Sequence, residues 1–434
     1  MRVDKNIKFL LAFKDTKCVN CKKSIRSMQT IVKFFLFGIL LSGCLACNQE
    51  NTEPTFIKFL GTPFDDRAFG VDSTADGGFV LVGTTKNQTS QEIYWAKINA
   101  KGNKEHTKTI ALSAINLEGR DIITLSNQHS LVLGLKHTHT NKGRFWLLEL
   151  DEAGTLIDSM TIGNVDLNTS GDAYLLKADN DNFYLVGNTA ETNSKSDLYL
   201  MKINADREVL LERAYGIIDR QDSTANLIVA PDNPADLIWA GTSERKAGKS
   251  DLRVIRADAF GNLKWDFAFD DQDEISQTGA QVQAASGALV SIGTITDGGQ
   301  SKIYVVNLQP DGSTNTAPLI IESLALPSAD ITGQCVLPID GGGYIIAGSI
   351  EEADNTKIYL AQIAATGNIL WEQSFGNPQK PDNNTANDLE RAMRILPIRE
   401  NGVLKGYLLL TRVWYGNNYV IGMIRTDTQG RVYN

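Results

Sequence analysis

Residues 331 to 376 read ITGQCVLPIDGGGYIIAGSIEEADNTKIYLAQIAATGNILWEQSFG. The stretch resolves into four short apolar runs, ITGQCVLPI, YIIAG, KIYLAQI and NILWEQSF. Asp340-Gly341-Gly342 separates the first two and Thr366-Gly367 the last two, and such glycine breaks supply the positive φ that tight hairpin turns need. The second run is apolar without alternation, as expected of a strand covered on both faces. The third alternates, as a half-buried strand does. Four strands joined by hairpins make one antiparallel sheet.

The same unit recurs along the chain. Strands ending at Gly83, Gly134, Gly187, Gly241, Gly293, Gly348 and Thr411 lie 51 to 63 residues apart. A second marker, the later turn glycine, keeps the same period at Gly102, Gly154, Gly261, Gly312, Gly367 and Gly430, with Arg207 standing in its place in the third repeat. A polar residue recurs in the third strand at Lys97, Glu149, Lys202, Arg256, Asn307, Gln362 and Arg425. Self-similarity near fifty residues points to propeller blades. The ends complement each other: Phe56 to Gly61 (FIKFLG) matches the outermost-strand ending WEQSFG, and the seventh repeat stops where its own outer strand is due. The expectation is an all-β, seven-bladed β-propeller of four-stranded antiparallel blades over residues 56–434, its last blade closed by the N-terminal strand so that an open edge is paired.

Two stretches carry a resemblance to a known group: FDDRAFGVDSTADGGFVLVGTT in the first repeat, and DGGGYIIAGSI with ATGNILWEQSFG in the sixth. They resemble the SBBP-like repeats of secreted bacterial propellers, common in lipoproteins. The resemblance covers residues 56–434 and fades in the second, fifth and seventh repeats. It implies the fold and an envelope or surface location and implies no activity, since such members share a scaffold rather than a catalytic site.

Ahead of the repeats, Lys33 is followed by an apolar run from Phe34 to Leu41 and then Ser42-Gly43-Cys44. The run has the length of a signal-peptide apolar region and is too short to span a bilayer. Leu41-Ser42-Gly43-Cys44 looks like a bacterial lipobox, with Cys44 as the lipid-attachment residue, and Cys47 offers a weaker alternative. Residues 28–43 therefore read as a lipoprotein signal peptide, 44–55 as a polar tether to a membrane-bound lipid, and 1–27 as an upstream extension before a start at Met28. Cys18 and Cys21 fall in that extension and have no strand-to-helix context for redox work and no second pair for zinc. Only Cys335 lies in the repeats, which excludes a disulfide framework there. The formal net charge of −9 includes nine basic residues against two acidic ones in the first 43, so the body is more acidic than the whole. Such a body repels phosphate backbones, which excludes nucleic acid as a partner.

Catalytic signals are thin. Gly248-Lys249-Ser250 joins two strands and does not open a helix, so it is no phosphate loop. His137 and His139 could offer two imidazoles to a metal but have no third ligand nearby. Ala361, Thr366, Gly367 and Trp371 resemble part of the docking motif of quinone-cofactor propellers, yet its acid falls on Ile363, and Trp371, like Trp265, reads equally as a ring packed between blades. No cofactor and no metal are expected. The function expected is a non-catalytic binding or scaffolding lipoprotein of the bacterial cell envelope, on the outer membrane or a periplasmic face. The alternative is a propeller enzyme, such as a quinone-dependent dehydrogenase, working in the central channel.

Two sets of residues are candidates for binding. Loops joining outer to inner strands and second to third strands emerge on one face and are long and polar here, including 377–388, so this long-loop face is the expected working face for a protein or glycan partner. Trp414 and Tyr415 sit in such a loop of the most divergent repeat, and either cap the last blade or contact a ligand. An acid recurs ahead of the innermost strand at Asp66, Asp172, Asp222, Glu274, Asp330 and Asp388, with Glu118 less well aligned. Around the channel mouth these would hold a cation; alternatively each accepts backbone N–H bonds and fixes the crossing between blades.

Overall fold

The computed structural model describes residues 54–434, apart from 140–141, 169–170, 179–181, 190–194, 217–219, 247–248, 269–275, 286, 353–354, 377–389, 416–417 and 434. The leader, Cys44, most of the tether, Glu274 and Asp388 lie outside the described residues. Among those described there are 28 strands in seven four-stranded antiparallel sheets and no helix. The first blade runs β2 (Asp65–Ser73), β3 (Phe79–Lys86), β4 (Gln91–Ile98) and β5 (Lys104–Ile110), paired in that order. The innermost strands of the next five blades are β6 (Leu117–Thr124), β10 (Tyr174–Lys177), β14 (Gln221–Val229), β18 (Ser276–Ala285) and β22 (Ile331–Pro338). Blade 7 contains β26 (Arg391–Glu400), β27 (Val403–Tyr415) and β28 (Asn418–Thr426), and its fourth strand is β1 (Phe56–Leu60), antiparallel to β28. The expected closure is therefore present. Thr55 Oγ1 fastens it by accepting the Tyr433 N–H at 2.8 Å.

Each sheet is too thin to bury its own faces, so the core is divided among the seven junctions between blades, with one apolar cluster at each. At the closing junction Phe56, Leu60, Leu408, Leu410 and Met423 of blade 7 pack on Leu81, Tyr94 and Ala96 of blade 1. Second strands are buried on both faces, as their unbroken apolar runs require: Phe79 through Thr85 are all buried in β3. Trp265 and Trp371 do pack between blades. Added Cβ atoms at Gly312 and Gly430 would come within 2.8 Å of Trp265 and 2.5 Å of Trp371, and one at Gly102 within 2.9 Å of Phe56. The turn glycine thus serves two needs, a φ of 71° to 85° at these positions and clearance for the ring of the preceding blade. Where Arg207 replaces it, the backbone still takes φ 65°.

The recurrent third-strand polar residue clamps neighbouring blades at several positions, whereas Lys202 and Gln362 contact Tyr184 and Trp371 of their own blades. Arg256 donates to the Pro310 carbonyl at 2.6 Å, Arg425 to the Ala100 carbonyl at 2.6 Å, and Asn307 accepts from the Tyr344 hydroxyl at 2.5 Å. Glu149 meets Arg207 at 2.7 Å, so the arginine that occupies the glycine position also completes a clamp. Inner strands are tied by a related device. Side chains that accept a backbone N–H of the next inner strand include Asp121 (from Leu175, 2.9 Å), Asn226 (from Val282, 2.7 Å) and Gln281 (from Val336, 2.6 Å).

Candidate functional site at the channel mouth

Most inner strands carry a β-bulge opposite the recurrent glycine, which lies within the second strand, or opposite Thr411 in blade 7. The register shifts between Ala68 and Gly70, between Gly119 and Asp121, and between Ala392 and Arg394. A bulge leaves one residue unpaired and re-aims its side chain. The residues so freed are Phe69, Arg120 and Met393, and all three line the channel on the long-loop face.

Two adjoining cavities occupy this end of the channel. The mouth, about 330 Å3, is bounded by the starts of β2, β6 and β26 and by the end of β27, with Phe69, Glu118, His137 and Asp172 in its wall. The deeper cavity, about 690 Å3, extends past Asp121, Tyr174, Gln283, Gln334 and Cys335. They share Asp172, Arg391 and Met393.

Five arginines distinguish the site: Arg67, Arg120, Arg391 and Arg412 at the mouth and Arg394 deeper. Three are committed to neighbours. Arg120 is buried, bonded to Glu118, 3.8 Å from Asp172, and stacked 4.6 Å from the Phe69 ring centroid. Burial opposes the charge on Glu118, but His137 at 2.8 Å and Arg120 outweigh it and hold the carboxyl below its usual range. Arg412 is buried 5.0 Å from the Tyr419 ring centroid. Arg394 donates to the Met393 carbonyl at 2.8 Å and lies 4.5 Å from the ring centroid of Tyr174, so blade 7 reaches blade 3 across the channel. Burial works against the Arg394 charge, yet Tyr174, Asp121 and Asp172 around it raise its pKa above the usual value.

Arg67 and Arg391 are different. Neither has an ion pair among the described residues; Arg67 is exposed, and Arg391 is half-buried with its Nε closed to water and without an acceptor, as are the Nε atoms of Arg120 and Arg412. A buried donor left unpaired costs roughly 1–3 kcal/mol, so it calls for an explanation. The Cys335 thiol in the deeper wall is pushed up to about 12 by burial, with Arg394 and Arg391 pulling the other way, so it is protonated at neutral pH.

Among the described residues, Asp66, Asp222 and Asp330 of the expected acidic ring do not line the mouth. Asp66 is fully buried and accepts the Thr62 N–H at 2.6 Å; burial raises its pKa, against that bond and those from Thr85 and Thr62. Asp222 is fully buried against Arg253 at 2.8 Å, and Asp330 accepts the Ser301 N–H at 2.6 Å. Of the expected acids among the described residues, Asp172 and the less well aligned Glu118 line the mouth. Trp414 is half-buried, edge-on to Tyr419 at 4.8 Å, whereas Tyr415 is 44% exposed and leans on Phe59. His137 turns onto Glu118 while His139 is exposed. Sequence reasoning missed the arginines. The available signal was their shared position near the start of an inner strand, at Arg67, Arg120 and Arg391, together with the crowding of Arg391, Arg394 and Arg412 into the most divergent repeat.

No protein-family description matches the chain, and no curated protein matches it. Solved structures share the fold. A protein of unknown function from Dyadobacter fermentans superposes with a TM-score of 0.50 at 10% identity, covering 87% of this chain and 98% of that one. A PL25 ulvan lyase solved with a bound -[GlcA(1-4)Rha3S]- ligand gives 0.50 at 12% identity, covering 71% and 81%. At such identities the likeness is one of fold alone.

Proposed function

We propose that this chain is a non-catalytic binding lipoprotein of the bacterial cell envelope, anchored through Cys44, whose ligand docks at the channel mouth on the long-loop face. The observation that carries the reading is that Arg67 and Arg391 line a shared cavity with no ion pair among the described residues. A rigid ring that presents such groups between long loops is suited to holding a ligand.

The site is tested by filling it. Gln91 lines the mouth at the start of β4, and Gln91→Trp occupies the cavity while leaving every arginine in place. The full-length variant should melt as wild type and lose the partner that wild type retains from native envelopes, as read by mass spectrometry. Retention of every partner by a folded Gln91→Trp protein would refute the site. The anchor is tested separately: Cys44→Ser should abolish metabolic lipid labelling, and label persisting on the variant would move the attachment elsewhere.

A further inference from the structure

We infer that the mouth receives the carboxylate of a small, hydroxylated organic acid of the sugar-acid class, held by Arg67 and Arg391. The inference rests on the mouth being the binding site proposed above and adds the chemistry of its occupant.

A planar guanidinium presents paired N–H donors that match the two oxygens of a carboxylate, and a site that uses arginine rather than lysine favours such forked recognition. The exposed Arg67 and the half-buried Arg391 line one cavity with no ion pair among the described residues, and Arg391 has a donor nitrogen closed to water. The charge around them limits the guest. Glu118 and Asp172 stand in the same wall, so a dianion such as phosphate meets two carboxylates at short range, and a monoanion meets less repulsion. A long acidic peptide or polyanion would also have to approach the acidic surface of the whole protein, which the formal net charge of −9 disfavours.

The rest of the wall suits a hydroxylated body. Phe69 and Met393 provide an apolar platform at the mouth, with the Phe69 ring held in place under Arg120. Beyond them Gln283, Gln334 and Ser223 line the deeper cavity with amide and hydroxyl groups that can both donate and accept. A volume of about 330 Å3 opening into about 690 Å3 falls in the range of small-ligand sites.

The test is calorimetric titration of the detergent-solubilised full-length protein with galacturonate, with galactose, inorganic phosphate and tetra-aspartate as comparators. Galacturonate should bind at millimolar concentration or below, and at least about tenfold tighter than galactose, the effect of roughly one charge-assisted bond. Arg67→Gln and Arg391→Gln should each weaken it about tenfold, and Gln91→Trp should abolish it. Equal binding of galactose would overturn the carboxylate and leave the mouth as the site. Galacturonate binding that survives Gln91→Trp and both arginine variants would instead overturn the mouth itself. Tighter binding of phosphate or tetra-aspartate, or no binding of galacturonate, overturns the ligand class. Should Arg391→Gln fail to fold, Arg67→Gln on the exposed strand start keeps the comparison open.

Discussion

Blade 4 and the channel mouth are both rich in arginine, and they use it in opposite ways. In blade 4 Arg253 is 2% exposed and contacts Asp222 at 2.8 Å, Asp266 at 2.7 Å and the Tyr215 carbonyl at 3.3 Å. Burial opposes its charge, but Asp266 and Asp222 reverse that and raise its pKa. Arg256 in the same blade is held by Asp236 at 2.6 Å, Asp232 at 3.0 Å and Pro310. At the mouth, Arg67 and Arg391 have no such ion pair among the described residues. The difference teaches that burial and charge alone do not tell what an arginine does in this fold; the partners supplied to its donors separate the two sets.

Breaking the partnered side gives the largest effect. Arg253→Ala strands the fully buried Asp222 without its guanidinium, and removing one member of a buried pair costs about 3–5 kcal/mol. Urea unfolding followed by tryptophan fluorescence should show that loss, and a wild-type midpoint would mean blade 4 does not depend on the pair.

Protonation in the channel sharpens the contrast next. Burial pushes the Asp121 carboxyl up to about 6, against Arg394 and the N–H groups of Leu175 and Ile122. A folded value above the unfolded one means that the native state binds the extra proton. Asp121 therefore stabilises the fold below about pH 4 and loses that contribution as pH rises through about 6. Asp121→Asn should gain stability over wild type between about pH 4 and pH 7 in matched urea titrations. A pH-independent difference would show that the carboxyl is not raised.

A smaller effect is expected at Arg207, a partnered arginine on a strained backbone. Arg207→Ala loses the contacts to Asp158 at 2.6 Å and Glu149 at 2.7 Å and keeps φ 65°, costing about 1 kcal/mol. Arg207→Gly loses the same contacts but relieves roughly 1 kcal/mol of left-handed strain, so it should unfold close to wild type. If glycine destabilises more than alanine, the left-handed backbone at residue 207 is not a source of strain.

Legibility in the sequence followed the same division. The blades could be read because each repeat must meet the same neighbours, which keeps Gly102, Gly154 and their counterparts, the apolar second strands and the third-strand clamps in period. Closure was readable from Phe56 to Gly61 because that segment lacks the three strands it belongs with. The site was not readable in the same way. The inner-strand bulges displace facing by one residue, so period-two reasoning cannot tell that Arg120 and Met393 look into the channel while Asp66 and Asp222 turn into the blades. The divergence of the seventh repeat was visible, and it supplies Arg391, Arg394 and Arg412, but attention fell on Trp414 and Tyr415, two and three residues past Arg412.

The smallest effect is expected where the account is most exposed: Arg67→Gln with Arg391→Gln should change ligand-free stability by no more than about 0.5 kcal/mol, as substitutions without native partners do. The decisive measurement is the shift in urea midpoint that galacturonate produces in wild type and in this double variant, since a ligand stabilises only the state it binds. The account predicts a concentration-dependent shift in wild type and none in the double variant, whose ligand-free midpoint matches wild type. An equal shift in both proteins, or a double variant already destabilised without ligand, would contradict it.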